Sequence, residues 1–224
     1  MDRRDFVNKG ALAALAAGAG SIFSRASAGE GETSSSRRNV KSFGAQGDGK
    51  TDDSAAIEKA LASDAGTLVF ERGVYKFSRT IVVDLSKRGW TSIDGTGGAR
   101  IRMAAAGPAF HFIGTHKGTA EPDSVSELTW NSERLPLVQN IEILGDHEKA
   151  VGLRLEKTLQ ATLGAVLIRN CSTGIHLVKR NRNIIISHCH IYQNRKVGIH
   201  FDHVDLHQAI VCSSHISYNP VAGI

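Results

Sequence analysis

The sequence predicts an all-β fold: a single-stranded right-handed parallel β-helix with an N-terminal capping α-helix. Three observations predict the β-helix, whereas its right-handed sense and the capping role of the helix are implied by a resemblance described below. Glycine is frequent, with 23 copies in 224 residues, and aromatic residues make up only 6%, which suits short strands and tight turns. Apolar triplets that begin with glycine recur at intervals of 22, 24 and 25 residues, at Gly152, Gly174, Gly198 and Gly223. Apolar strands repeat in a second register, at 166–171, 184–189 and 210–214.

The repeat period explains why the units should stack. A period between about 20 and 50 residues is typical of repeat architectures. Each unit here holds short alternating strands without a helical stripe, so one unit cannot bury its own apolar face and must pack on the next. A leucine-rich repeat would need a Leu/Asn ladder, which is missing. Coils of about 23 residues account best for the pattern.

The N-terminus has the three regions of a signal peptide, predicted for residues 1–28. Arg3 and Arg4 precede a small-residue apolar run at 10–23, and the Ala-x-Ala pattern at 26–28 marks a cleavage site. The paired arginines resemble a twin-arginine signal, with an ordinary secretory signal as the alternative. The run of about 14 residues is too short to span a bilayer, so we expect no stable membrane insertion after signal removal.

The predicted signal implies a periplasmic or secreted location. The Gly/Ser/Glu-rich residues 29–38 that follow are expected to form a flexible leader. The β-helix domain is predicted for residues 39–224. Because 220–224 stop where the next inward strand should begin, we expect the domain to be truncated at its C-terminal end, with cover by another subunit as the alternative.

The first part of this domain combines a strand, a glycine-rich turn and a helix. Glycines at 44, 47 and 49 can take positive φ, and Thr51, Asp52 and Asp53 suit a helix start. A helix is predicted over 54–63, with Gly66 beyond its end. Strands are predicted at 67–70, 74–77 and 80–83.

This opening resembles that of pectate-lyase-superfamily proteins. The resemblance rests on Phe-Gly-Ala at 43–45, Gly-Asp-Gly-Lys-Thr-Asp-Asp at 47–53, Gly-Val-Tyr at 73–75 and Ile-Asp-Gly at 93–95. It covers residues 39–103 and implies the pectin-lyase-type fold, with the helix capping the first coil. It also implies that Asp52 and Asp53 are structural. The superfamily includes polygalacturonases, uronic-acid lyases, epimerases and phage tailspikes.

Alternation along the repeats predicts which side chains face outward. Arg154, His176 and His200 should form one outward column, flanked by Glu156 and Asp202 in a neighbouring column. His190 and His215 should form another outward pair. Successive coils lie about 4.8 Å apart, so such columns place polar groups side by side.

Seven of the ten histidines fall between His176 and His215. A reaction on a sugar acid could use an Asp or His as proton acceptor, with cations holding the substrate carboxylate. The predicted catalytic residues are His200, Asp202, His203 and Asp205, and the predicted substrate-binding residues are Arg154, His176, Lys179 and Arg195. The competing interpretation is a solvated outer face. A His/Asp metal site is the other alternative, but spacing alone is weak evidence, so no metal site is predicted and no particular cofactor is indicated.

The predicted function is an exported carbohydrate-active β-helix protein, a polysaccharide lyase, hydrolase or epimerase acting on acidic polysaccharide. The alternative is a non-catalytic glycan-binding or structural repeat protein. The polygalacturonase motifs Asn-Thr-Asp, Gly-His-Gly and Arg-Ile-Lys are absent, so that activity is not supported. An adhesin of the tailspike type is disfavoured because tailspikes do not need a twin-arginine signal. The sequence does not define an oligomeric state.

Composition narrows the partners further. A net charge of +5, of which residues 1–28 supply +2, argues against nucleic acid as a partner and leaves a weak attraction to polyanions.

The three cysteines lack zinc-type spacing, and an odd count leaves at least one thiol unpaired. We expect them to be buried as small apolar residues. The polar segment 116–131 is expected to be an insertion loop over the surface.

Overall fold

A computed structural model of the chain describes residues 36–64 and 66–224. The predicted signal peptide and most of the predicted leader lie outside the described residues. The first strand begins at Arg37, two residues before the predicted start of the domain. Every strand pairing among the described residues is parallel, which confirms a mostly β fold with parallel strands. The right-handed sense of the coil stays a prediction.

The described part of the chain contains fifteen strands, two short α-helices, two 3-10 helices and one π-helical turn. The α-helices are α1 (Ser54–Leu61) and α2 (Leu85–Arg88). The strands are β1 (Arg37–Asn39), β2 (Asp48–Asp52), β3 (Thr67–Phe70), β4 (Gly73–Phe77), β5 (Ile81–Asp84), β6 (Ser92–Met103), β7 (Gly107–Ile113), β8 (Leu137–Gly145), β9 (Ala150–Glu156), β10 (Thr162–Gly164), β11 (Leu167–Arg169), β12 (Thr173–Ser187), β13 (His190–Tyr192), β14 (Val197–Cys212) and β15 (His215–Ser217).

The pairings sort the strands into three faces that the chain visits in turn. The first face stacks β5, β7, β9 and the beginnings of β12 and β14. The second stacks β1, β3, β10 and parts of β6, β8, β12 and β14. The third stacks β2, β4, β11, β13, β15 and the ends of β6 and β8. One circuit of the three faces makes one coil of the parallel β-helix.

The corners between the first and second faces contain residues with positive φ. Lys179 and Asn183 bracket this corner in one coil, and His203 and Gln208 bracket it in the next. Their φ values are 59°, 54°, 45° and 61°, in the left-handed region that non-glycine residues occupy mainly at turns. Each such residue redirects the strand, which is how one long strand serves two faces.

Inward side chains stack in columns through the interior. Leu68, Ile93, Val138, Leu163 and Ile186 pair from coil to coil on the second face, and none is more than 1% exposed. Full burial of such a side chain contributes about 1.5–3 kcal/mol relative to exposure. The repeated apolar positions of the sequence therefore form one continuous core.

The glycines that begin the repeats allow the coils to approach each other closely. A Cβ added at Gly174 would lie 2.6 Å from the carbonyl oxygen of Gly198 and 2.7 Å from Cγ2 of Ile191. A Cβ at Gly198 would lie 2.5 Å from the carbonyl oxygen of Gly223. These distances leave no space for a side chain, so the spacing of the glycines marks where neighbouring coils touch.

Helix α1 forms where the sequence predicted a helix, two residues shorter at its C-terminal end. Ile57, Ala60 and Leu61 are buried. The Asp53 carboxylate accepts main-chain N–H bonds from Gln46 at 2.6 Å and from Gly47, while Asp52 accepts from Ser54. These contacts agree with a structural role for the two carboxylates. No helix of the described residues is long and apolar enough to cross a membrane.

The polar insertion lies between β7 and β8 and is fastened to a corner of a later coil. Arg182 donates to the main-chain carbonyls of Thr119 and Ala120, each at 2.9 Å, and of Glu121 at 3.1 Å. Arg180 donates to the carbonyl of Gly118. The insertion is therefore held against the corner between the first and second faces.

Candidate functional site

One outward column runs along the first face. His111 pairs with Arg154, Arg154 with His176, and His176 with His200, so the predicted column of three is confirmed and extended by one residue. The imidazole rings of His176 and His200 stack with their centroids 5.3 Å apart and their planes 6° from parallel. The parallel register itself produces this stacking, because it places equivalent residues of successive coils directly beside each other.

The neighbouring column carries the two carboxylates that flank the histidines. Glu156 pairs with Val178, which pairs with Asp202, so two coil spacings separate the carboxylates. At about 4.8 Å per coil, their main chains lie roughly 10 Å apart. The predicted placement of Glu156 and Asp202 in one column is confirmed.

Asp202 joins His176 and His203, and His200 stacks on His176. We call these four residues, His176, His200, Asp202 and His203, the His–Asp cluster. Nε2 of His176 lies 2.9 Å from Oδ2 of Asp202, and Nδ1 of His203 lies 2.7 Å from Oδ1. His176 is half-buried, whereas the side chain of His203 is 99% exposed. His203 reaches Asp202 from the corner, where its positive φ ends the regular alternation of the strand.

In the His–Asp cluster, the pKa values of Asp202 and His176 are both below their ordinary values. Hydrogen bonds from His203 and His176 lower the pKa of Asp202 to about 2. Burial is the main cause that lowers the pKa of His176, and Arg154 and His200 lower it further against the opposing effect of Asp202. Asp202 is therefore ionised while His176 is neutral. The carboxylate can only accept, so Nε2 of His176 carries the proton and Nδ1 keeps its lone pair.

A second group of charged and polar residues surrounds Glu156, which lies two coils before Asp202. Lys179 Nζ lies 2.6 Å from Oε1 of Glu156, and this ammonium is the leading partner that holds the pKa of Glu156 below its ordinary value against burial. His111 Nε2 lies 3.3 Å from Oε2 of Glu156 without a hydrogen bond among the described residues. Arg154 Nε is also buried without a hydrogen-bond partner in that part of the chain. Buried polar groups without hydrogen-bond partners are uncommon in folded proteins, so the Nε of Arg154 is available to a ligand.

Two of the predicted site residues lie away from the His–Asp cluster. Asp205 is in the corner and pairs with Arg180. Arg195 follows β13 and donates to the main-chain carbonyls of His147, at 3.0 Å, and Asn170. Neither has a hydrogen bond or ion pair with His176, His200 or Asp202 among residues 36–64 and 66–224. The geometry thus groups six of the eight predicted residues around His176, Asp202 and Glu156: Arg154, His176, Lys179, His200, Asp202 and His203.

Within residues 36–64 and 66–224, the group that could hold a metal ion is His176, His200 and Asp202. One donor atom from each lies within 4.8 Å of the others. The nitrogen lone pairs of imidazole lie in the ring plane, however, and the two rings are nearly parallel, so their lone pairs do not converge on one point. A shared ion would require one ring to rotate. The present geometry suits proton transfer better than metal binding.

Sequence reasoning did not select His111 or Glu156 as site residues. A signal for His111 was present, because Phe-His-Phe at 110–112 has the same apolar–His–apolar pattern as 175–177 and 199–201. Gly107 also precedes it, although at a longer spacing than in the later repeats. Glu156 follows the Gly152 triplet at the position that Asp202 occupies after Gly198. Comparing equivalent positions of the repeats would have identified both.

Comparison with protein families matches residues 37–106 to the family described as "Rhamnogalacturonase A/epimerase, pectate lyase-like". The match covers the first coils and supports the resemblance to the pectate lyase superfamily. It ends before the His–Asp cluster begins. No curated protein matches the chain.

Solved structures resemble the chain in fold. ORF18 of Geobacillus virus E2 has a TM-score of 0.57 at 17% identity, over 80% of this chain and 41% of that one. The A-module of mannuronan C-5 epimerase AlgE6 from Azotobacter vinelandii has a TM-score of 0.46 at 16% identity, over 79% of this chain and 56% of that one. The chain thus spans about half the length of these proteins or less. At these identities the likeness concerns the fold alone.

Proposed function

We propose that the chain belongs to an exported carbohydrate-active β-helix protein that acts on an acidic polysaccharide through the His–Asp cluster. The observation that carries this proposal is the hydrogen bond between Nε2 of His176 and Oδ2 of Asp202, at 2.9 Å, beside the positive charge of Arg154. A base and a cation are the two groups needed to remove a proton next to a carboxylate. The twin-arginine route and the periplasmic or secreted location are part of this proposal.

The arrangement favours a lyase or an epimerase over a hydrolase. Hydrolysis of a glycosidic bond ordinarily needs one carboxyl group that stays protonated to serve as the acid. The pKa values of both Glu156 and Asp202 are lowered, so neither carboxyl is protonated at neutral pH. Removal of a proton from the carbon beside a uronate carboxylate needs an unprotonated base instead, and the neutral imidazole of His176 provides one.

In the proposed reaction each residue has a separate task. Arg154 holds the uronate carboxylate, and its charge stabilises the negative charge that develops when the neighbouring proton leaves. His176 takes that proton on Nδ1, and Asp202 stabilises the resulting imidazolium through Nε2. In a lyase, the electron pair then forms a double bond in the ring and expels the glycosidic oxygen. In an epimerase, a proton returns to the opposite side of the same carbon, so its donor is a group other than His176.

The test is an assay of the mature protein on pectate, alginate and related uronate polymers. Ultraviolet absorbance of the unsaturated uronate reports a lyase, exchange of the ring proton with deuterated water reports an epimerase, and reducing ends without either report a hydrolase. We expect His176→Gln and Asp202→Asn to lose about 10²–10⁴-fold in rate, the usual contribution of a positioned base.

His190→Gln is the matched control, because His190 and His215 form a similar cross-coil pair on the third face, 5.8 Å apart, without a carboxylate partner among the described residues. Equal losses in His190→Gln and His176→Gln would contradict the proposal. Binding of the polymers with no reaction would instead support the non-catalytic glycan-binding alternative.

A further inference from the structure

A cavity separate from the His–Asp cluster opens between the insertion and the corner that fastens it. Its volume is about 420 Å³, in the range of small-molecule sites. Pro122, Asp123, Val125 and Trp130 of the insertion line one side, and Leu159, Gln160, Arg182 and Asn183 line the other. None of the residues assigned to the proposed reaction contributes to its lining.

Trp130 offers an aromatic surface whose position is fixed. The side chain is 45% exposed and the guanidinium of Arg134 lies over its ring at 4.9 Å. The same guanidinium lies 5.8 Å from the ring of Trp90, whose indole N–H donates to the carbonyl of Leu135. Arg134 does not line the cavity, so this contact holds Trp130 from outside and leaves the cavity side of the residue available.

The opposite wall is equally fixed. The nitrogens of Arg182 donate to three carbonyls of the insertion and to the side chain of Asn183. The main-chain N–H of Gln160 donates to the carbonyl of Arg182 at 2.8 Å. The insertion and the corner are thereby joined into one unit, and a ligand would enter a cavity that is already formed.

The lining combines an indole with hydrogen-bonding groups that the protein leaves unused. The side chains of Gln160 and Asp123 make no hydrogen bond with any other described residue, so they offer one amide and one carboxylate to a ligand. A pyranose ring has both features that match, an apolar C–H face for the indole and hydroxyl groups at its edge. Asp123 and Arg182 both line the cavity, so their opposite charges leave no net attraction for an anionic ring. The nitrogens of Arg182 are already bonded to carbonyls of the insertion and cannot form a bidentate pair with a uronate carboxylate.

We propose that this cavity is a second carbohydrate site, selective for neutral pyranose rings over uronates. Trp130 stacks on the ring, while Gln160 and Asp123 bind its hydroxyl groups. A polymer that carries neutral sugars as well as uronates could then contact both sites, which lie on the two sides of the same corner.

The experiment measures binding of neutral gluco-, galacto- and manno-oligosaccharides, and of uronate oligosaccharides, by tryptophan fluorescence and calorimetry on the full chain. We expect a neutral oligosaccharide to bind, and Trp130→Ala to weaken that binding about tenfold or more, as for a central aromatic contact. Gln160→Ala should weaken it about two- to tenfold, the effect of one hydrogen bond, while the indole stays in place.

Tyr218→Ala is the matched control, since Tyr218 is an aromatic residue 80% exposed that does not line the cavity, and its loss should leave affinity unchanged. His176→Gln should also leave it unchanged, which separates this proposal from the proposed reaction. Unchanged affinity in both Trp130→Ala and Gln160→Ala would overturn the proposal. So would tighter binding of uronates than of neutral sugars at this cavity, or no binding of any neutral oligosaccharide offered.

Discussion

Replacing Gly174 by alanine tests whether the stacked coils depend on the glycines that begin the repeats. The added Cβ would lie 2.6 Å from the carbonyl oxygen of Gly198 and 2.7 Å from Cγ2 of Ile191. Neither neighbour is the flexible end of a long side chain: the first is main chain and the second is a buried β-branched residue. The coils must separate locally, and overpacking of this kind costs about 1–3 kcal/mol.

The matched control is Gly164→Ala. A Cβ at Gly164 would meet nothing within 4 Å, and the residue does not have positive φ. Alanine there should be neutral or should stabilise by about 0.4–1 kcal/mol, because it restricts the unfolded chain.

Thermal unfolding followed by circular dichroism should separate the two variants. For a domain of this size each kcal/mol corresponds to about 2–4 °C in Tm, so Gly174→Ala should unfold lower than Gly164→Ala by several degrees. Equal midpoints for the two variants would refute the argument that contact between coils explains the glycine repeat.

Three further predictions concern other parts of the fold. Asn181→Leu should lower stability by at least about 2 kcal/mol in urea unfolding, since the buried amide makes four hydrogen bonds and its removal leaves buried main-chain groups unpaired; a wild-type midpoint would contradict this. A thiol reagent should modify one thiol of the folded chain, that of the exposed Cys212, because Cys171 and Cys189 are buried with raised pKa values, and Cys212→Ser should abolish the reaction; modification of all three without unfolding would count against it. The free energy of unfolding should fall on acidification below about pH 6.5, because burial lowers the pKa of His116 in the folded state. Below the ordinary pKa of 6.5 the unfolded chain binds a proton that the folded chain does not yet bind, so protonation favours unfolding. The stability that neutral His116 allows above pH 6.5 is therefore lost as the pH falls towards the folded-state pKa. His116→Gln should flatten this pH dependence, and an unchanged slope would exclude His116 as a cause.

The fold was predictable because the same close contact between coils recurs in each repeat and leaves a glycine there each time. Gly152, Gly174 and Gly198 mark the same close contact in successive coils, and alternation from each glycine gives the inward and outward faces. The parallel register that places His176 beside His200 follows from that count alone. The cysteines were predicted less well, because Cys212 is exposed whereas the other two are buried.

The site was predictable only as far as regular alternation continues. Counting by two from Phe201 would point His203 inward, yet its positive φ turns it outward and onto Asp202. The same break carries Asp205 towards Arg180 rather than towards the histidines. Non-glycine residues with positive φ leave no clear signal in a sequence. The positions of the corners, and the charged groups that meet there, are therefore seen only in the structure.

The corner of the last coil is one residue longer than the corner beside it. Val178 pairs with Asp202 but Arg180 pairs with Asp205, so Lys179 faces two residues of the next coil, and pairing then resumes in step as far as Cys212. The extra residue thus changes the register only at the corner, and the strand pairing that follows it is unaffected. A protein built this way can gain or lose corner residues beside the proposed site while the stacked strands keep their register. These corners are therefore the places where insertions and deletions would alter the proposed site at the least cost to the fold.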